Sequence, residues 1–475
     1  MSEPSLERDD SRVLLVAMRT AVAMLGSGAQ SDDVEAAIET IAGVYGMAGV
    51  QASVTFSGIS ISYDPKELDH PTTVLHIVRE RRSDFARLAT ASGLVRRIRV
   101  GECSLADAER ALDELEQQAS PYPQLTSFIA PAVSAAGATL VFGGNVLDGA
   151  ATLAIALAVQ PVLERLDRSS LPPFFRLVVG AATSTLLVAM LVGLGLPIVG
   201  GLVLTGSLLR FLPGYALVSG FRDLIDQSII SGSARLAEAL LLGAGVALGT
   251  AVGLAVAATF EIHLAIVTVG RADWSTAAAG IAAFIAVGAF AVQLGVPRNA
   301  VAQAALLGAT AWVVFIGFAD IGVVVEPVAA TLGSAIVIGI VGRMLARHAH
   351  APAALWVVPA ILPLLPGLQL VQALLADSDA ARISGLVGAA ATAFLIGTGV
   401  AMGDIVVSTV RGVRDTVVAP AVDAVAGGVD VLIVSRVGRA VEQARGSRSP
   451  GRGSPPTPDP RPADVQGDAG GQDHQ

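Results

Sequence analysis

Hydrophobic positions change their rhythm along the chain, and each rhythm predicts a different element. Val34, Ile38, Ile41 and Tyr45 recur at helical spacing behind an acidic first turn of Asp32 and Glu35, so a helix runs from Ser31 to Gly46. The period then falls to two. Val50, Ala52, Val54 and Phe56 alternate with polar residues, Ser57-Gly58 offers a turn, and Ile59, Ile61 and Tyr63 alternate again, which predicts a hairpin. A third strand over 72–79, helices near 83–92 and 104–118, the latter capped by Ser104, and an amphipathic helix over Val13 to Leu25 complete a small α/β domain, residues 1–120. The Val13 to Leu25 run is too short to span a bilayer, and its leader is acidic where a signal peptide is basic.

From residue 125 the periodicity gives way to apolar runs of spanning length: 125–144, 146–163, 174–195, 198–219, 236–260, 274–293, 300–318, 323–342, 354–375 and 383–408. They divide into two halves of five, 121–262 and 263–410. Arginine placement tests the count, because cytoplasmic loops are enriched in it. With the N-terminus inside, Arg165, Arg168, Arg176, Arg222, Arg235, Arg298, Arg343, Arg347, Arg411 and Arg414 fall on the inner side and only Arg271 and Arg382 on the outer. The expectation is an all-α polytopic membrane protein of about ten transmembrane helices with both termini cytoplasmic, carrying the small α/β domain in the cytoplasm. Residues 411–475 read as a tail that is largely disordered beyond Arg445, rich in Ser, Pro, Gly and Arg.

One stretch occurs twice. Leu212 to Gly249 opens Leu-Pro-Gly-Tyr-Ala-Leu-Val and closes Gly-Ala-Gly-Val-Ala-Leu-Gly; Leu365 to Gly403 opens Leu-Pro-Gly-Leu-Gln-Leu-Val and closes Gly-Thr-Gly-Val-Ala-Met-Gly. Five spans per half place the copies in opposite directions, which makes a 5+5 inverted repeat with two broken helices at mid-membrane. Pro213 and Pro366 each remove a helix hydrogen bond, Gly214 and Gly367 let the chain bend, and the freed backbone groups must face protein or a wet cavity. Glycines 243, 245, 249, 397, 399 and 403 are expected on a packing seam between the halves.

Composition sharpens the class. Of 475 residues 53% are hydrophobic and 15% charged, with mean hydropathy +0.65. Residues 1–120 carry 12 Arg/Lys and 19 Asp/Glu, whereas 125–409 carries 11 and 13. The net charge is -9, and the lack of a basic stripe with interleaved aromatics excludes nucleic acid as a partner. Lys66, the single lysine, has no glycine cradle, which excludes a phosphate-binding loop of the Walker type. The one cysteine, Cys103, forms no internal disulfide. His70 and His76 lack metal-ligand company, so no metal or cofactor is expected and the chain reads as a non-enzyme. Arg79, Arg81, Arg82, Arg96, Arg97 and Arg99 form a basic cluster suited to a solvated face or to anionic headgroups.

Charges inside spans are costly and therefore candidates for function. Arg210, in Leu-Leu-Arg-Phe-Leu-Pro-Gly, could hold a substrate carboxylate in a fork or snorkel to headgroups; its counterpart is Pro363. Substrate contact is expected at Arg210, Pro213, Gly214, Pro366, Gly367 and Asn145. Asp148, Asp223, Asp226, Glu326 and Asp404 are candidates for proton coupling or gating, Asp223 and Asp226 otherwise being solvated loop residues. Gln160, Gln293, Asn299 and Gln303 could bind a polar solute or join helices, and Trp274 and Trp356 are placed as interfacial anchors.

Ser-Gly-Ala-Gln-Ser-Asp-Asp-Val-Glu (27–35), Ile-Ala-Gly-Val-Tyr-Gly (41–46), Phe-Gly-Gly (142–144), Leu-Pro-Gly with Phe-Arg-Asp-Leu-Ile and Ser-Gly downstream (212–232), and Leu-Pro-Leu-Leu-Pro-Gly (362–367) follow in that order. Together they resemble the threonine/serine exporter family over about residues 12–410. The resemblance implies export of threonine and serine across the cell membrane, driven by the proton motive force, with the bilayer, protons and the amino acid as partners; a homo-oligomer is compatible with it. An alternative is dicarboxylate (succinate) export. Met402-Gly403-Asp404 touches on a third class, intramembrane aspartyl proteases, but Ala401 stands where that motif needs glycine.

Overall fold

A computed structural model describes residues 3–64, 72–79, 83–264, 276–320 and 326–413. Lys66, His70, Arg81, Arg82, Arg271, Trp274 and the tail beyond 413 lie outside the described residues, as does the side chain of Glu326, which opens a helix.

The N-terminal domain is built around α1 (Glu3–Gly26), which packs on α2 (Ser31–Val44), α3 (Phe85–Arg99) and α4 (Leu105–Glu116). Val13, Val16, Ala17, Thr20, Ala21 and Leu25 are all buried, so α1 turns a broad apolar face into the core of the domain. Its remaining polar stripe pairs with α4: Arg12 donates Nε and Nη2 to the two Glu109 oxygens at 2.9 Å each, and Arg19 reaches Asp113 and Glu116. The predicted cap of α4 is present as a full capping box between Ser104 and Asp107. The strands β1 (Val50–Val54), β2 (Gly58–Tyr63) and β3 (Thr72–Ile77) form an antiparallel sheet in that order, with Ile59 and Ile61 turned into the core.

Among the described residues the membrane part supplies eight continuous helices long and apolar enough to span, and two bent pairs that bring the number to ten if each pair is one span. The first half is α5 (Gln124–Val141), α6 (Val146–Asp167), α7 (Pro173–Gly193), the pair α8 (Gly200–Leu208) and α9 (Gly214–Ile225), and α10 (Ile229–Ala258). The second is α11 (Thr276–Gln293), α12 (Arg298–Asp320), α13 (Glu326–Ala349), the pair α14 (Ala354–Ala360) and α15 (Gly367–Leu374), and α16 (Asp379–Val413). The pairs bend by 52° and 40° at the two Leu-Pro-Gly segments. The chain is a multi-pass membrane protein of the all-α class.

The N-terminal domain marks one face of this bundle. Ser228 Oγ donates to Asp32 Oδ1 at 3.0 Å, Ser31 Oγ bonds Ser231 Oγ at 3.3 Å, and Phe85 N donates to Leu294 O at 3.0 Å. The first broken helix therefore ends on the domain's side. The second begins there, since α14 packs against α3. The two run in opposite senses.

The glycines divide by position, which corrects the expectation that all six lie between halves. A Cβ on Gly243 would meet Leu370 Cδ2 at 2.7 Å, and one on Gly397 would lie 3.5 Å from Val218 O, so the first of each triplet faces the opposite half. Gly245 and Gly249 instead seat α10 on α7, and Gly399 and Gly403 seat α16 on α13.

Candidate functional site

Each break is built the same way. A 3-10 turn, Leu209–Phe211 or Leu362–Leu364, leads into an extended leucine before the proline: ψ is 129° at Leu212 and 131° at Leu365. A residue before proline is driven out of the helical region by the proline ring, so the helix must stop there. Pro213 and Pro366 then start α9 and α15, whose first-turn amides have no intrahelical acceptor.

The two breaks touch. A Cβ on Gly214 would lie 2.9 Å from Leu365 Cβ and 3.3 Å from Gly367 N; one on Gly367 would lie 2.7 Å from Leu212 Cβ. No side chain larger than hydrogen fits at either point without movement, so glycine permits the crossing. Two helix N-termini, each carrying positive dipole, converge where the halves meet.

Beside the crossing lies a cavity of about 490 Å³, counting its opening, lined by α5, α9, α11 and the two 3-10 turns. Its wall is mostly apolar, with Phe290, Leu212 and Leu365, and its polar groups are Ser134, Gln293, Tyr215 and Arg210. Ser134 is spent on Ala286 O, to which it donates at 3.1 Å. Arg210 donates Nη2 to Gln160 Oε1 at 2.6 Å and lies 5.5 Å from the Phe211 ring centre, while its buried Nη1 has no partner. A planar guanidinium with one arm held and one arm free presents a charge-assisted donor to an acid group.

The other expected residues scatter. Asn145 and Asp148 form the N-terminal capping box of α6, and Asp148 also accepts from Val199 N at 2.7 Å. Both Asp148 oxygens are thereby occupied, tying the α5–α6 turn to the start of α8. Asp223 is not solvated as a loop residue would be: it lies in α9, 3% exposed, with Arg235 Nε 2.7 Å from its Oδ2. Helix α10 begins earlier than hydropathy suggested, and Arg235 enters the protein because a carboxylate awaits it. Asp404 accepts from Arg222 Nη2 at 3.0 Å, and Asp226 lies 3.8 Å from Arg222 Nε. Gln160 and Gln303 join helices, the latter by accepting from Trp356 Nε1 at 2.9 Å. Trp356 is 1% exposed, so it is a core residue and not the interfacial anchor its place near a span end suggested. Among the described residues no group of His, Cys, Asp and Glu could hold a metal.

The N-terminal domain adds a charge that sequence reasoning passed over. Asp33, at the start of α2, faces Arg222 of α9, Arg343 of α13, Asp404 of α16 and its neighbour Asp32. Asp33 is exposed to solvent, with protein close around it. Desolvation by the surrounding protein lifts its pKa above the usual carboxylate range, against the pull of the two arginines.

Two antiparallel broken helices crossing beside a lined cavity define a membrane carrier of the inverted-repeat class. Comparison with known proteins agrees. A family model described as "Putative threonine/serine exporter" matches residues 15–257, and a second, "Threonine/Serine exporter, ThrE", matches residues 279–410. The chain belongs to the threonine/serine exporter family. It is 30% identical over 416 residues to a probable threonine/serine exporter of Mycobacterium tuberculosis, covering 84% of this chain and 77% of that protein. It is 26% identical over 412 residues to a threonine/serine exporter of Corynebacterium glutamicum, covering 84% and 83%. No solved structure gives a significant match.

Proposed function

We propose that the protein exports threonine and serine from the cytoplasm by alternating access, with the cavity beside the crossed breaks as substrate site. The observation that carries this reading is the unpartnered Nη1 of Arg210 at the wall of that cavity. An amino-acid carboxylate takes it, the first-turn amides of α9 and α15 add positive potential, and Gln293 offers a polar contact to a hydroxyl or ammonium. Glycine at both crossing points lets each half rock against the other. The N-terminal domain lies on the cytoplasmic side, and protons supply the driving force.

Efflux of preloaded threonine, serine and succinate from proteoliposomes, with and without an imposed proton gradient, tests this. Gradient-dependent movement of threonine and serine is expected. Movement of succinate alone would replace the amino-acid reading by dicarboxylate export, and threonine flux indifferent to the gradient would remove proton coupling.

A further inference from the structure

Away from the central cavity, where the N-terminal domain meets both membrane halves, charges of both signs gather from four helices. Arg222 (α9) belongs to the first half, Arg343 (α13) and Asp404 (α16) to the second, and Asp33 (α2) to the N-terminal domain. Arg222 holds Asp404 at 3.0 Å and thus bridges the halves, and the same two helices meet through Phe221 and Phe394, whose rings lie edge to face with centres 6.0 Å apart.

A simple latch would use its polar atoms up. Here three buried ones on both sides of the charge balance make no hydrogen bond: Arg222 Nε, with only Asp226 at 3.8 Å, Arg343 Nε, and Asp404 Oδ1. Leaving such atoms without hydrogen bonds is costly, and in a native protein it marks a place taken by water, an ion or another solute. A single solute that displaces water and satisfies all three must donate to a carboxylate and accept from guanidinium groups at once. A dicarboxylate offers only acceptors and a polyamine only donors. A free α-amino acid carries an ammonium and a carboxylate on one carbon, and its zero net charge leaves the balance of the cluster unchanged.

We propose that Asp33, Arg222, Arg343 and Asp404 form a second amino-acid site, a loading station on the N-terminal-domain side, distinct from the cavity beside Arg210. The inference rests on the amino-acid export reading above. The ammonium binds Asp404, with Asp33 facing it from the domain, and the carboxylate binds Arg222 and Arg343. In doing so the ligand exchanges one ion pair for two of its own, so the tie between the halves is released only when cargo is present. Arg222 stands eight residues along α9 from Gly214, about 12 Å by helix rise. One short helix thus connects the station to the central crossing.

The test is equilibrium binding of radiolabelled L-threonine to the full-length protein in nanodiscs. Wild type is expected to bind two threonines per chain. In the Arg210→Gln background one remains, displaced by serine but not by threonine methyl ester, N-acetylthreonine or succinate. Adding Asp404→Asn, which keeps the side-chain shape, or separately Arg343→Gln, weakens that remaining site about 10- to 100-fold. A single threonine per chain, lost with Arg210→Gln, overturns the loading station and leaves the export reading standing. Remaining binding that neither Asp404→Asn nor Arg343→Gln alters also overturns it. Binding of succinate and of neither threonine nor serine removes the export reading, and the station with it.

Discussion

Three residues before Pro213 stands Arg210; three residues before Pro366 stands Pro363. Around these positions the two breaks have the same 3-10 turn, the same extended leucine and the same proline-started helix. The likeness ends at the side chains, and it ends again further along. Asp223 and Arg235 form a buried ion pair in the first half, where the matching positions of the second hold Ala376 and Ala389. A symmetric backbone gives the two halves equivalent ways to open, whereas recognition of an asymmetric solute needs chemistry on one side only. The repeat therefore keeps bends and glycine contacts in both copies, while the arginine at the break and the buried ion pair stand in the first half only.

The largest effect is expected at the buried pair. Arg235→Gln takes the guanidinium away from the buried Asp223 carboxylate and should destabilise the protein by about 3–5 kcal/mol, whereas the double change Asp223→Ala/Arg235→Ala, which copies the second half, should recover a substantial part of that. Thermal unfolding in detergent measures both. Equal loss in single and double variants would mean that the pair does more than balance its own charge. Next comes the asymmetry at the breaks. Arg210→Gln should lower threonine flux by about 100-fold with the protein still folded, the worth of a charged hydrogen bond, while Pro363→Ala at the matching position should leave most of it. Full flux in Arg210→Gln would show that the arginine serves only Gln160.

These contrasts also show what a sequence can reveal of such a molecule. The helical and alternating periods around Val34 and Ile59, the ten apolar runs and the doubled Leu-Pro-Gly are local signals, and each became the expected element because backbone sterics and bilayer thickness act locally. Pairings across the fold carry no such signal. Gln160 and Arg210 are separated by 50 residues and Arg222 and Asp404 by 182, so nothing in the chain's order announces them. The same blindness moved Trp356 to the surface and began α10 too late: Ser231, Ser233 and Arg235 lower its hydropathy, but Ser231 is bonded to Ser31 and Arg235 to Asp223. Polar residues whose partners lie inside the protein look like loop until the partner is known.

A third pair of changes asks how far the backbone symmetry extends. Gly214→Ala and Gly367→Ala each push a methyl into the opposite break, at 2.9 Å from Leu365 Cβ and 2.7 Å from Leu212 Cβ. Overpacking of this kind costs about 1–3 kcal/mol, and the two variants should lose similar stability and similar flux. If only Gly214→Ala stopped transport, the crossing would be a fixed contact in the second half and a moving part in the first.

The smallest effect concerns Asp33, which faces charges from both halves. Desolvation raises its pKa above 3.8 despite Arg222 and Arg343, so the folded protein binds this proton more tightly than the unfolded chain does. Its contribution to stability is then complete below pH 3.8 and lost as pH rises through the elevated value, which makes ionised Asp33 a net cost at neutral pH. Asp33→Asn removes a charge that is open to solvent and partly screened, and should raise the melting temperature slightly at pH 7. The gain should shrink as pH falls and vanish once wild-type Asp33 is itself protonated. Asp32→Asn, one residue away, keeps an oxygen for Ser228 and serves as the control for removing a neighbouring charge. A gain for Asp33→Asn that is constant with pH would assign it to packing, and the domain would then rest on the two halves without reading their charge.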